Sequence, residues 1–257
     1  MIIELNSKFK SNKDKIKLLI DDFKNQGTTI YKGSRNELKV LYLDDLPVNI
    51  KKFKTPHFIN RIAYRWFRKS KAKRSFIYAN RLLKLGIRTP EPICYQENYN
   101  FFGLQESYYI SVQQPHDFTF RDLIKNMDFP DRENIIRAFT RFTFFLQNQN
   151  VFFIDHSPGN TLIRQKSDNE YEFYLVDLNR MKFKTLTFEE RVKNFAKLST
   201  NKELYIIIAD EYAKLTGKDS STVFDLLWDE VQSFRKKIDK KQALKKRLFL
   251  KKSVYET

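Results

Sequence analysis

Val151-Phe152-Phe153-Ile154-Asp155-His156-Ser157-Pro158-Gly159-Asn160-Thr161-Leu162-Ile163 runs an apolar strand into a polar turn and out again into a second apolar strand. Asp155 and Asn160 stand five residues apart in that turn. Downstream, Tyr174-Leu175-Val176-Asp177-Leu178-Asn179-Arg180 sets a second carboxylate, Asp177, at the end of another short apolar strand. Ser, Pro, Gly and Asn form turns for conformational reasons alone, so the loop by itself need be no more than a turn. Its meaning comes from what accompanies it.

Phosphoryl transfer asks little covalent chemistry of a protein. It needs magnesium held by oxygen ligands, a carboxylate to orient the attacking hydroxyl, and a cation on the nucleotide phosphates. Each part has a candidate here: Asp155 to take the hydroxyl proton, Asn160 and Asp177 to hold metal, Lys51 to reach the phosphates, and the Gly33-Ser34 turn to offer backbone amides. Strand alternation puts Asn49 and Lys51 on one face and Val48, Ile50 and Lys52 on the other. In so lysine-rich a chain a solvated strand edge is the competing reading of Lys51.

Around these residues the chain changes periodicity once. Thr28 to Tyr31, Glu37 to Leu43 and Val48 to Phe53 are rich in branched and aromatic residues and are separated by turn compositions, which predicts an antiparallel meander. A basic helical stretch follows to Leu85, with Phe76, Ala79 and Leu83 on one face, stopped by Gly86, Pro90 and Pro92. Cys94 to Glu97 and Gln105 to Val112 read as two more strands, with Cys94 a core filler. Beyond Gln113 the spacing is helical. Asp131 is placed to cap a helix whose stripe is Ile135, Phe139, Phe142 and Leu146, and Thr187 with Glu190 has capping-box spacing. Glu203 to Leu215 and Val223 to Phe234 continue as helices. The expected organisation is a β-rich lobe over 1–113 and a helical lobe over 114–257, with a nucleotide cleft near Gln113-Gln114.

With these motifs the sequence resembles the protein-kinase-like fold, and specifically the lipopolysaccharide kinase (Kdo/WaaP) family. The anchors are Asp155 to Asn160, Val176-Asp177-Leu178-Asn179-Arg180-Met181, the strand around Lys51, and Ser70-Lys71-Ala72-Lys73-Arg74 with Gly86-Ile87-Arg88-Thr89-Pro90-Glu91-Pro92. The resemblance implies an α+β, two-lobe fold and transfer of phosphate from ATP, with Mg2+, to a Kdo or heptose hydroxyl of the lipopolysaccharide core. Only about ten residues separate Asp177 from Thr187, too few for the long activation segment with which protein kinases bind peptides. Lys71 to Leu85 holds no acidic residue, and Ile77 stands about where the family pattern has a glutamate to pair the strand lysine. A pseudokinase or scaffold that keeps the fold without turnover is therefore the alternative.

Composition bounds the rest. The chain has 257 residues, 41% hydrophobic and 31% charged, enough for a self-sufficient core. Lys plus Arg number 48 against 31 Asp plus Glu, a formal charge of +17, which points to anionic partners. Arg61 to Arg74 carries seven cations, no acid, and the aromatics Tyr64, Trp66 and Phe67; Arg235 to Lys252 carries ten cations against Asp239 alone. Solvated helix faces explain such clusters, and so does contact with an anionic membrane or the phosphates of a glycolipid acceptor. A nucleic-acid-binding protein is a further reading, without a recognised motif to support it. One cysteine excludes an intrachain disulfide, the start lacks the order of a secretory signal, and no stretch approaches the roughly 20 apolar residues of a membrane span. The expected location is cytoplasmic, peripheral at the inner face of the inner membrane.

Overall fold

Alternating burial along the strands sorts the first part of the chain into two cores. The computed structural model describes residues 1–57, 61, 63–64 and 67–254, with side chains to residue 244. It divides into two units, 1–117 with 174–181, and 118–173 with 182–257.

The first unit is built on a six-stranded antiparallel sheet. Its strands are β1 (Ile2–Leu5), β2 (Thr28–Lys32), β3 (Asn36–Leu43), β4 (Leu46–Phe53), β5 (Pro92–Asn100) and β6 (Gly103–Val112), ordered β1-β5-β6-β4-β3-β2. The meander β2-β3-β4 is the one its turns predict. On one face Leu41, Leu43, Val48, Ile50, Cys94, Tyr108 and Ile110 pack with Ile16, Ile20 and Phe23 from helix α1 (Lys13–Asp21) and the turn after it. On the other, Phe53 and Tyr95 pack with Ala72 and Phe76 of helix α2 (Lys71–Lys84). Ser70 caps α2 by accepting from the Lys73 amide, and Gly86, at φ 72°, ends it. The inward residue near its end is Leu82, not Leu83, which is 40% exposed. Both positions continue the stripe of 72, 75, 76 and 79 at helical spacing, so periodicity alone does not choose between them.

The second unit is mostly helical. After strand β7 (Phe118–Thr119) and helix α3 (Phe120–Lys125) comes α4 (Arg132–Asn148), then β8 (Val151–Phe153), β9 (Thr161–Ser167), β10 (Glu170–Leu175), β11 (Met181–Phe183), α5 (Phe188–Lys193), α6 (Lys202–Thr216) and α7 (Ser220–Val254). The hairpin strand β10 leaves this unit for the first at Tyr174. Ile135, Phe139 and Leu146 of α4 are fully buried, and Phe142 is half-buried against the core that α6 and α7 complete. Tyr212 Oη donates to Gln147 Oε1 across 2.6 Å inside that core. Thr187 and Glu190 do form a capping box on α5. Asp131 does not cap α4 with its side chain. It sits in the left-handed region at φ 55°, where its carboxylate accepts from Asn134 Nδ2 at 2.5 Å and Tyr171 Oη at 2.6 Å. No helix among the described residues is long and apolar enough to cross a membrane.

Candidate active-site residues

Of the five residues singled out from the sequence, Lys51, Asp177 and Gly33 belong to the first unit, and Asp155 and Asn160 to the second.

In the first unit the face of β4 is decided by Val48 and Ile50, which are buried against α1 and so turn Asn49, Lys51 and Phe53 toward the α2 face. Lys51 is therefore no solvated edge residue. Its Nζ lies 2.7 Å from Asp177 Oδ1, and its side chain is 14% exposed. Asp177 is brought there by the segment after β10: the Leu175 amide donates to the Arg88 carbonyl at 3.1 Å, and Thr89 Oγ1 donates to the Leu175 carbonyl at 2.7 Å. Asp177 itself adopts φ 58°, a left-handed conformation that Asp tolerates better than most side chains. Asn179 Nδ2 donates to the same Oδ1 at 2.5 Å, and Arg74 Nε of α2 holds the Asn179 carbonyl at 2.9 Å. Helix α2 thus supplies cations here. Lys71, at its start, has its pKa lowered by burial first and then by the charges of Arg180 and Arg35, with Asp177 opposing them.

Gly33 lies in the β2–β3 turn. Its amide donates to the Asn36 carbonyl at 3.0 Å, so it is engaged within the turn, and the Tyr31 side chain occupies the space a Cβ would take.

In the second unit the loop from β8 to β9 is knitted by its own backbone. Asn160 Nδ2 donates to the Asp155 carbonyl at 2.8 Å, the Ser157 amide donates to the same carbonyl at 2.7 Å, and the Asn160 amide donates to the Ser157 carbonyl at 2.9 Å. The Arg121 guanidinium lies against Gly159 in the space a Cβ would take, so a larger residue there would have to displace that side chain. The residues before Asp155 are fixed from the segment after α5. Asn194 Nδ2 donates to the Phe153 carbonyl at 2.7 Å, Lys197 Nζ donates to the Ile154 carbonyl, and the same Nζ stands 3.5 Å from Asp155 Oδ1. His156 is fully buried between Phe139 and Phe153, with ring centroids 5.1 and 5.6 Å away, and neither ring nitrogen makes a hydrogen bond of standard geometry. Burial, aided by the charge of Lys197, pushes its pKa down to about 3, so it is a neutral core residue.

Asn194 and Lys197 were not singled out from the sequence, and Arg74 and Asn179 stand there only within the quoted family anchors, without a role of their own. Asn179, two residues after Asp177, was the most accessible of them to inspection; nothing in spacing sets Lys197 or Arg74 apart among 48 cations. Among the described residues no group of three or more His, Cys, Asp or Glu is placed to hold a metal. Magnesium in phosphotransferases needs fewer protein ligands, since phosphates and waters complete its octahedron, and an aspartate with an asparagine is a suitable oxygen donor set.

No protein-family model matches the sequence, and no curated protein does. A solved structure of WaaP in complex with acyl carrier protein is similar in fold, with a TM-score of 0.61 over 93% of this chain and 99% of that one, at 14% sequence identity. The likeness establishes the α+β, protein-kinase-like fold, with a β-rich first part and a helical second part.

Proposed function

We propose that this protein is an ATP- and magnesium-dependent phosphotransferase whose acceptor is a sugar hydroxyl of the lipopolysaccharide core, Kdo in the first instance and heptose otherwise. The observation that carries the reading is the Lys51–Asp177 pair in a chain of this fold: a strand lysine and a strand-end aspartate 126 residues apart, brought within 2.7 Å. Lys51 and the Gly33 turn would engage the nucleotide, Lys51 by its charge on the phosphates. Asp177 and the Oδ1 of Asn160 would hold magnesium, which when bound neutralises charge on the β- and γ-phosphates. Asp155 orients the acceptor hydroxyl and receives its proton, held in place by the Asn194 and Lys197 contacts to the carbonyls just before it. The excess of cations favours an anionic glycolipid acceptor and peripheral work at the cytoplasmic face of the inner membrane.

The test pairs two substitutions with a chemical readout. Asp155→Asn is expected to leave nucleotide binding largely intact and nearly abolish transfer, whereas Asp177→Ala is expected to lose metal-dependent nucleotide binding. Mass spectrometry of glycolipid from cells with and without the gene identifies the acceptor by a missing phosphate. Normal turnover by Asp155→Asn protein removes Asp155 from its role.

One observation favours a second reading, a pseudokinase. Helix α2 offers Lys71 and Arg74 rather than a carboxylate, and the acidic partner of Lys51 is Asp177. Magnesium-dependent nucleotide binding with no transfer to any glycolipid would decide for it.

A further inference from the structure

The outward side of strand β8 forms part of the floor of a cavity in the second unit. Val151 and Phe153 are fully buried, so alternation turns Phe152 away from the core, and Ile154 follows it; both are half-buried. Ala196 and Phe234 complete that apolar floor, and the space they leave measures about 220 Å3. Glu230, Phe234 and Lys237 reach it together because positions four and three apart share one face of α7. The cavity adjoins the proposed base: Ile154 precedes Asp155 in the chain, and Lys197, in the wall, stands 3.5 Å from Asp155 Oδ1.

The walls are charged, and unevenly. Lys193, Lys197 and Lys237 stand there with a single acid, Glu230. Lys193 and Glu230 form a loose pair, 3.6 Å apart with both side chains partly exposed, so a ligand displaces it at little cost. Lys197 is engaged with the Ile154 carbonyl and Asp155, and its Nζ lies 5.8 Å from the centre of the Phe234 ring. Lys237 is exposed and has no acidic partner among the described residues. Glu230 and Asp155 thus answer two of the three cations, and one positive charge is left over. Asn194, also in the wall, spends its Nδ2 on the Phe153 carbonyl, while its buried Oδ1 makes no hydrogen bond of standard geometry.

We propose that this cavity is the acceptor subsite of the phosphotransferase and that it selects a sugar acid, a hydroxylated ring carrying one carboxylate. The ring lies on Phe152 and Phe234, its carboxylate pairs with Lys237 and Lys193, and its hydroxyls donate to Glu230. One surplus cation suits one carboxylate, and a neutral heptose has nothing to set against it. A fatty acid also carries a carboxylate, but it has no hydroxyl to offer Glu230 or Asn194, and a space of this size encloses a ring rather than a long chain. The inference rests on the phosphotransferase reading, which makes the neighbourhood of Asp155 an acceptor site, and deepens it by assigning the choice of Kdo over heptose to named side chains.

The test uses the full chain, without nucleotide, and three probes titrated by NMR: the methyl glycoside of Kdo, the same glycoside with its carboxylate reduced to the alcohol, and the methyl glycoside of a neutral heptose. The Kdo glycoside is expected to bind about tenfold tighter or more than the other two, the scale of one charge-assisted contact. Lys193→Gln with Lys237→Gln should erase that preference and leave binding of the two neutral probes unchanged. Both lysines are exposed, and a melting curve checks that the fold survives. Decanoate should not displace the Kdo glycoside. In the transfer assay the double variant should raise KM for a Kdo-terminated acceptor about tenfold with KM for ATP unchanged. Three results overturn the proposal: no preference for the Kdo glycoside in the natural chain, a preference that survives in the double variant, or displacement of the glycoside by decanoate. Failure of the phosphotransferase reading appears separately, as Kdo binding that depends on the two lysines with no transfer to any acceptor.

Discussion

Lys51 Nζ and Asp177 Oδ1, 126 residues apart in the chain, lie 2.7 Å from each other, and the same oxygen accepts from Asn179 Nδ2. The pair is only partly buried, with side chains 14% and 33% exposed, so its worth to folding is small. Its worth lies in placing one cation and one carboxylate together. Lys51→Met should therefore barely move the melting temperature while lowering transfer by about two orders of magnitude, as for loss of one preorganised electrostatic partner. Lys51→Arg should not restore it, because a planar guanidinium does not replace a compact ammonium. Initial rates and nucleotide titrations check this, and a wild-type rate in Lys51→Met protein would remove Lys51 from the proposed mechanism.

Lys197 acts on Asp155 at one remove. It donates to the Ile154 carbonyl and stands 3.5 Å from the Asp155 carboxylate, so it sets both the path of the backbone and the charge beside the proposed base. Lys197→Met should lower kcat by about a hundredfold at most, the scale of a small misplacement of a reacting group, with KM for ATP unchanged. Lys197→Arg, which keeps the charge and a donor, should recover much of the loss. A matching rise in KM would show instead that the residue serves nucleotide binding.

Legibility in the sequence followed the range of the interaction. The β2-β3-β4 meander, the Thr187–Glu190 capping box and the loop from Asp155 to Asn160 were readable because turn chemistry and capping are local. Cys94 was readable as a buried filler, and burial does push its thiol up to about 12. Strand β1 was not readable, since it exists by pairing Ile2 with Glu97 across the length of the unit, nor was α1, whose Ile16 and Ile20 gain meaning only against Val48 and Ile50. Asp131 does occupy the N-cap position its residue type suggests, but Asn134 and Tyr171 claim its carboxylate. Which face of β4 carries Lys51 depends on how α1 and α2 pack on the sheet, contacts that no local pattern encodes.

Lys39 is a cation doing the work of a helix cap. It is 7% exposed, and its Nζ donates to the carbonyls of Phe23, Lys24 and Gln26 at 2.7, 3.3 and 3.2 Å, closing the chain end that follows α1. Lys39→Met keeps the stem but leaves those carbonyls without their donor. A loss of about 1–3 kcal/mol is expected, visible as a lower urea midpoint at unchanged m-value. An unchanged midpoint would mean that water replaces the ammonium at no cost.

His156 makes the protein acid-sensitive at a known place. Its folded pKa is depressed to about 3 by burial, against an ordinary value of 6.5, so between those values the unfolded chain binds a proton that the folded chain refuses. Stability is then full above pH 6.5 and falls as the pH drops toward 3, with a limiting slope of about 1.4 kcal/mol per pH unit from this one group. Leucine fills similar space among Phe139, Phe153 and Phe195 without two ring nitrogens that lack standard hydrogen bonds. His156→Leu should be neutral or stabilising at pH 7 and should flatten the decline between pH 6 and 4, measured by denaturant titration across that range. Equal slopes in the two proteins would place the acid sensitivity in the carboxylates instead.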